Sequence, residues 1–315
     1  MKQILVVGSI NLDLVAVTSK IPQPGETVSG TTFQTFSGGK GANQAFAAAR
    51  LGAPVSMIGK VGNDSFGKQL RANLEAGGVD TSAIEEVATS SGIAQIITAA
   101  SGENIIVVVP GANGQLLPAD LDKHIDLIRA AGIILAQLEI PLETVSYLAS
   151  IARREKIPFM LDPAPVQPLP ASLLSAVDWL TPNESETCAL LGRPVQELPT
   201  EELEAVAGRL LRRGAANVVL KLGARGCYLA LVDGRRMLIP ANVVKAIDTT
   251  AAGDAFNGAF AASLMDGHNP VRSASWASAV AALSVTRPGA QPSMPTRAEV
   301  ERFIEGQQGR NATTG

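Results

Sequence analysis

The stretch Ile4-Leu5-Val6-Val7-Gly8-Ser9-Ile10-Asn11-Leu12-Asp13 decides how the rest of the chain is read. Its first four residues form an uninterrupted apolar run that stops at a glycine. Such a run suits a strand buried on both faces of a parallel sheet, where neither side needs a polar residue. Similar runs recur at 55–58, 133–138, 159–161 and 218–220, and helical patterns stand between them at 41–51, 67–76, 142–155 and 201–213. This alternation predicts an α/β fold with a doubly wound, mostly parallel sheet flanked by helices. Ligands are then expected beyond the carboxyl ends of the strands.

Two stretches, 13–36 and 92–109, break the alternation. Both carry β-branched residues and turn signals, including Ala100-Ser101-Gly102-Glu103-Asn104, without a crossover helix. They are expected to form a small β-sheet lid over the ligand edge; the other reading makes them antiparallel edges of the main sheet. A single α/β domain is expected over 1–305, followed by a polar, aperiodic and disordered tail over 306–315. Asn311-Ala312-Thr313 matches a glycosylation acceptor, but without a secretory signal the match carries no weight.

Composition narrows the partners. The 315 residues are 46% apolar and 17% charged, with a formal net charge of −3, so there is no basic field to hold a nucleic acid or an anionic membrane. No apolar run approaches the roughly 20 residues of a membrane span. The strand pattern begins at once after Met1-Lys2-Gln3, without the sections of a signal peptide, so a cytoplasmic location is expected. Cys188 and Cys227 have no metal-ligand spacing and read as buried thiols. His124 and His268, the two histidines, give a histidine triad or multi-histidine metal site little to build on.

The candidate site residues each admit a structural and a functional reading. Asn11 and Asp13 lie two apart after the first strand, so an extended backbone turns both to one side, where they serve as ligand-gripping groups or as turn residues. Ser37-Gly38-Gly39-Lys40-Gly41-Ala42-Asn43 is either a tight strand-to-helix turn or a loop whose amides approach a ligand; it fits neither the Walker A loop nor the dinucleotide fingerprint. Glu139 sits at another strand end. Asn183 and Glu186, at i and i+3, read as a capping box or as groups near a metal-bound phosphate. Leu222-Gly223-Ala224-Arg225-Gly226, after 218–220, is again a Gly-bounded turn, either a plain connection or one that lies under a nucleotide. Finally, Asp248-Thr249-Thr250-Ala251-Ala252-Gly253-Asp254 opens a helix with small residues and a carboxylate. That carboxylate is either a dipole-stabilised cap or a base beside an anion hole, the combination that phosphoryl transfer to a hydroxyl requires.

Taken together, Gly38-Gly39-Lys40-Gly41-Ala42-Asn43 and Asp248-to-Asp254 resemble the two signature regions of the ribokinase-type carbohydrate kinases, a superfamily that includes adenosine kinases and minor-type phosphofructokinases. The likeness runs from Gly8 to about Ser293. It implies that Asp254 is the catalytic base, with Ala251, Ala252 and Gly253 forming the anion hole. It assigns Asn11, Asp13, Gly39, Lys40, Gly41, Asn43 and Glu139 to the sugar. Asn183, Glu186, Lys221, Gly223, Gly226, Gly253 and Ser278 would line the ATP and magnesium-phosphate site, although the side chains at Lys221 and Ser278 depart from the pattern. A potassium ion would be held by Asp248, Thr250, Ser284, Arg287, Gly289 and Ser293, mostly through carbonyls. The Asn11 and Lys40 choices are similar to members that phosphorylate the 5-hydroxyl of D-ribose; 2-deoxyribose, fructose or a nucleoside is the alternative acceptor, and a non-catalytic sugar or nucleotide sensor is the alternative of another class. Phe33 and Phe36 are the only lid aromatics for stacking a heterocycle. The resemblance also suggests a homodimer paired through the lid, which would cover its strand edges.

Overall fold

The computed structural model describes residues 2–313. The strands, in chain order, are β1 (Gln3–Val7), β2 (Asn11–Thr18), β3 (Gly30–Gly38), β4 (Val55–Gly62), β5 (Val79–Asp80), β6 (Ile84–Val87), β7 (Gly92–Ala99), β8 (Asn104–Val109), β9 (Ala131–Ala136), β10 (Phe159–Leu161), β11 (Trp179–Leu180), β12 (Asn217–Lys221), β13 (Cys227–Ala230) and β14 (Arg236–Ile239). The main sheet runs β14-β13-β12-β11-β10-β9-β1-β4-β5, with β6 on β4. From β12 through β5 its pairs are parallel, and β13 and β14 add an antiparallel edge.

β1 shows why the uninterrupted apolar run was needed. Leu5 and Val7 join a core with Leu148, Ile151 and Val206 on one face, while Ile4 and Val6 join a core with Ala45, Ala259 and Phe260 on the other. Helices Leu142–Glu155 and Leu203–Arg212 cover the first face; helices Lys40–Arg50, Ala252–Met265 and Pro270–Ser284 cover the second. Since β1 pairs with β4 on one side and β9 on the other, the chain order reverses there, and a crevice opens at the carboxyl ends of these strands.

The two stretches without helices form a separate four-stranded sheet, β3-β2-β7-β8, rather than edges of the main one. It stands at the same end of the main sheet, because β2 begins only four residues after β1 ends. At the far end of the chain, helix Arg297–Thr313 continues through the segment expected to lack structure, so the backbone is helical past Gly306. Extending an existing helix needs no new nucleus, which polar composition alone does not reveal. Thr314 and Gly315, also in that expected tail, lie outside the described residues.

Candidate active site

The first corner of the site is built by the glycine loop. Gly39 caps helix Lys40–Arg50 with φ 88°, and a Cβ there would lie 2.6 Å from the Asn11 amide nitrogen. A Cβ on Gly41 would come within 2.7 Å of the Gly8 backbone, so both positions require glycine for backbones to touch. This closeness brings Glu139 among three donors: Ser9 Oγ at 2.5 Å, the Lys40 amide at 3.1 Å and Asn11 Nδ2 at 3.5 Å. Glu139 therefore serves the loop and not the helix after Pro141. Asn11 Oδ1 accepts from Asn113 Nδ2 at 2.7 Å, and the same Asn113 exchanges hydrogen bonds with the Ile10 backbone.

Asp13 lies beside Glu139 in the same recess. Burial, then the nearby charges of Glu139 and Asp254, raise its carboxyl to about 7, with Lys40 opposing. For the Lys40 ammonium, burial works downward but is outweighed by Asp254, Asp162, Glu139 and Glu186, so its proton is held more firmly than usual.

Asp254 stands in the first turn of helix Ala252–Met265, only 6% exposed. It does not cap its own helix. Its Oδ2 accepts from Asn43 Nδ2 and its Oδ1 from Gln44 Nε2, both at 3.0 Å. Burial raises its carboxyl to about 6; Lys40 and the two amide donors pull the other way, and Asp162 adds to the rise. The residue before the helix, Ala251, takes the left-handed conformation at φ 58°. The Ala252 amide, expected in the anion hole, instead donates to the Thr249 carbonyl at 3.2 Å. That bond closes the turn into the helix, and it leaves the amides of Gly253 and Asp254 without partners among the described residues.

On the other side of Gly253 lies a cavity of about 320 Å³. It is lined by Lys221, Gly223, Gly226, Gly253, Phe256 and Ser278, among others. Gly226 is required there, with φ 94° and a notional Cβ 2.0 Å from the Ile239 carbonyl oxygen. Ser278 Oγ is 3.9 Å from the buried Cys227 thiol, so the serine forms part of the cavity wall. Lys221 Nζ donates to Asp162 Oδ1 at 3.0 Å. Asn183 and Glu186 form the capping box of helix Glu184–Leu190, with reciprocal contacts of 2.8 Å, and burial raises the Glu186 carboxyl against the pull of Lys221.

Two loops meet beside the helix start. Asp248 Oδ1 accepts from the Thr250 amide at 2.9 Å and Oδ2 from the Gly289 amide at 2.8 Å; burial opposes, but these bonds hold the carboxyl below its usual range. Ser284 Oγ and Ser293 Oγ donate to nearby backbone carbonyls, and the Arg287 guanidinium pairs with Glu299 at 2.7 Å. All six expected cation-loop residues lie on these joined segments, though the Arg287 side chain is engaged elsewhere.

Sequence reading missed Gln44, Asn113 and Asp162. Gln44 Nε2 donates to Asp162 Oδ2 as well as to Asp254, each at 3.0 Å, and Gln137 Nε2 donates to Gln44 Oε1 at 2.8 Å. Asp162 had a usable signal, since it follows the apolar run 159–161 as Glu139 follows 133–138. Gln44 directly follows the glycine motif, but its bonds to Asp162 and Asp254, like that of Asn113 to Asn11, join residues far apart in the chain.

A buried carboxylate next to helix amides without partners, between a polar recess and a second cavity, is the arrangement that passing a phosphoryl group to a hydroxyl requires. Residues 1–297 match the profile of the pfkB family carbohydrate kinases, and the chain belongs to that family. It is 43% identical over 305 residues to a ribokinase of Bacillus subtilis, covering 96% of this chain and 100% of the relative. A deoxyribokinase of Salmonella typhi is 37% identical over 304 residues, at 96% and 97% coverage. The structure of an Arabidopsis thaliana ribokinase complexed with ribose and ATP superposes with a TM-score of 0.90 at 33% identity, covering 96% of this chain and 99% of that one. The chain is accordingly an ATP-dependent carbohydrate kinase with the ribokinase-like fold.

Proposed function

We propose that this protein is a ribokinase, transferring the γ-phosphoryl group of ATP to the 5-hydroxyl of D-ribose. The observation that carries the mechanism is the buried Asp254, held by Asn43 and Gln44 at the mouth of a helix whose Gly253 and Asp254 amides are free. The sugar would lie against Asn11, Asp13, Lys40 and Glu139, with Gly39, Gly41 and Asn43 closing the recess. As the sugar oxygen attacks, its proton passes to the Asp254 carboxylate, the P–O bond to ADP breaks, and the electron pair leaves with ADP. The free amides meet the charge on the transferring group, a contribution of roughly 10²–10³ in rate for one such donor.

ATP would occupy the cavity beside Gly223, Gly226 and Ser278, its phosphates directed at Gly253. Among the described residues no group of three or more His, Cys, Asp and Glu side chains is placed to hold a metal, which fits magnesium arriving on the nucleotide. Glu186 retains lone pairs beyond its capping bonds, enough to take a metal-bound water. Magnesium supplies charge neutralisation on the phosphates. For potassium, the joined loops at Asp248, Thr250, Ser284, Arg287, Gly289 and Ser293 offer backbone carbonyls, the donors a large monovalent cation prefers.

The small sheet acts as the lid in this reading, closing over the sugar to exclude water as a competing acceptor. Its strand β8 exposes five consecutive apolar residues, from Val109 at 43% to Val107 at 56%. A second copy of the chain is the partner proposed for that strand. The enzyme is expected in the cytoplasm, where ATP is supplied; no helix among the described residues is long and apolar enough to cross a membrane.

The acceptor is tested by ADP release with D-ribose, 2-deoxyribose, fructose and adenosine, each in potassium and in sodium. Turnover led by D-ribose and raised by potassium is expected. Leadership by 2-deoxyribose, the acceptor that a deoxyribokinase relative brings into question, would overturn the choice of sugar.

A further inference from the structure

Lys221 ends β12 and carries its side chain past β11 to Asp162, at the end of β10. The pair is nearly buried, with side chains 12% and 3% exposed. Breaking such a pair is costly, yet forming it adds little to stability over apolar replacements, so its presence at the crevice needs another reason. The position supplies one. A Cβ on Gly253 would stand 3.3 Å from Lys221 Nζ, so the ammonium hangs over the helix end whose amides are free, while its stem lines the nucleotide cavity. A cation and two amide donors thus converge on one small volume.

We propose that Lys221 is a further catalytic residue. Its ammonium contacts the γ-phosphoryl oxygens during transfer, and Asp162 is the positioning carboxylate that holds it over Gly253 before the nucleotide arrives. This rests on the kinase reading above. Lys221 takes no part in the proton transfer: the hydroxyl proton goes to Asp254, the new P–O bond forms to the sugar, and the P–O bond to ADP breaks with its electron pair going to ADP. The lysine supplies fixed positive charge, which the two amides alone do not. Because Gln44 donates to both Asp162 and Asp254, the carboxylate that positions the cation and the one that takes the proton are held in a single hydrogen-bonded frame.

The experiment compares Lys221→Met, Lys221→Arg, Asp162→Asn and the double variant Lys221→Met/Asp162→Asn, each first shown to bind ADP by calorimetry. Lys221→Met is expected to lower kcat about 10²-fold with the sugar KM little changed, and to lose preference for a non-hydrolysable ATP analogue over ADP. Lys221→Arg should recover part of the rate. The double variant separates a catalytic lysine from one that only neutralises Asp162: it should be no faster than Lys221→Met. Recovery of the double variant to near the wild-type rate, or an undiminished preference for the ATP analogue in Lys221→Met, would overturn the proposal. Wild-type turnover with sugar is the control. Its absence overturns the kinase reading and this inference together, whereas sugar-dependent turnover with an unimpaired Lys221→Met overturns the role of Lys221 alone.

Discussion

Two helix starts face the same crevice and are finished in opposite ways. Helix Glu184–Leu190 is closed by its own side chains, Asn183 and Glu186 satisfying each other's backbone amides in a complete capping box. Helix Ala252–Met265 begins at an alanine with no side chain to cap it, and its first-turn Asp254 turns away to Asn43 and Gln44. Closing an end adds stability, by about 1 kcal/mol for a good cap. Leaving the helix uncapped forgoes that gain and keeps the Asp254 N–H, the counterpart of the capped Glu186 N–H, for a ligand beside that of Gly253. On the proposed mechanism, the uncapped end is where charge is handled and the capped end is part of the frame.

The contrast can be broken by mutation. Among changes that leave Asp254 in place, the largest effect is expected from Gly253→Asp, which sets a second carboxylate in the open end. It should lower kcat by about 10²–10³ in steady-state assays. A smaller effect comes from pH. Asp254 must be ionised to accept a proton, and its carboxyl is raised to about 6, so kcat should fall about tenfold per unit below that pH and level off above it. Asn43→Leu removes a hydrogen bond that lowers the Asp254 carboxyl, so the acid limb of the rate profile should move upward.

Stability carries the opposite sign. Asp13 and Asp254 have folded-state values raised to about 7 and about 6 from 3.8, so the folded chain holds protons that the unfolded chain releases. Their contribution is fully present below pH 4 and is lost as pH rises through 6 to 7. Thermal melts of Asp13→Asn should therefore show less loss over that window than wild type. The smallest effect is at the closed end: Asn183→Ala should cost about 1 kcal/mol of stability, read from denaturant midpoints. Its loss in kcat should be far below that of Gly253→Asp.

Both helix starts were legible in the sequence, as was the ambiguity between cap and site. Asn183-x-x-Glu186 and Gly253-Asp254 each fit a capping role, and nothing local tells which end is left open. That depends on Asn43 and Gln44, which are 211 and 210 residues from Asp254 and reach it only because helices Lys40–Arg50 and Ala252–Met265 pack on one face of the sheet. The apolar run at β1 predicted that sheet, and the absence of crossover helices predicted a separate strand layer. Asn113 was out of reach, because its bond to Asn11 depends on how the chain turns after β8. The same holds for the Ala252 amide, whose bond to Thr249 follows from the left-handed turn at Ala251.

The most direct measurement is sugar-dependent ADP release by Asp254→Asn, made beside calorimetric ATP binding on the same folded sample. The predicted result is a loss of at least about 10²–10⁴ in kcat, with ATP bound as in wild type. Wild-type turnover in that variant would contradict the assignment of Asp254 as the base at the open helix end.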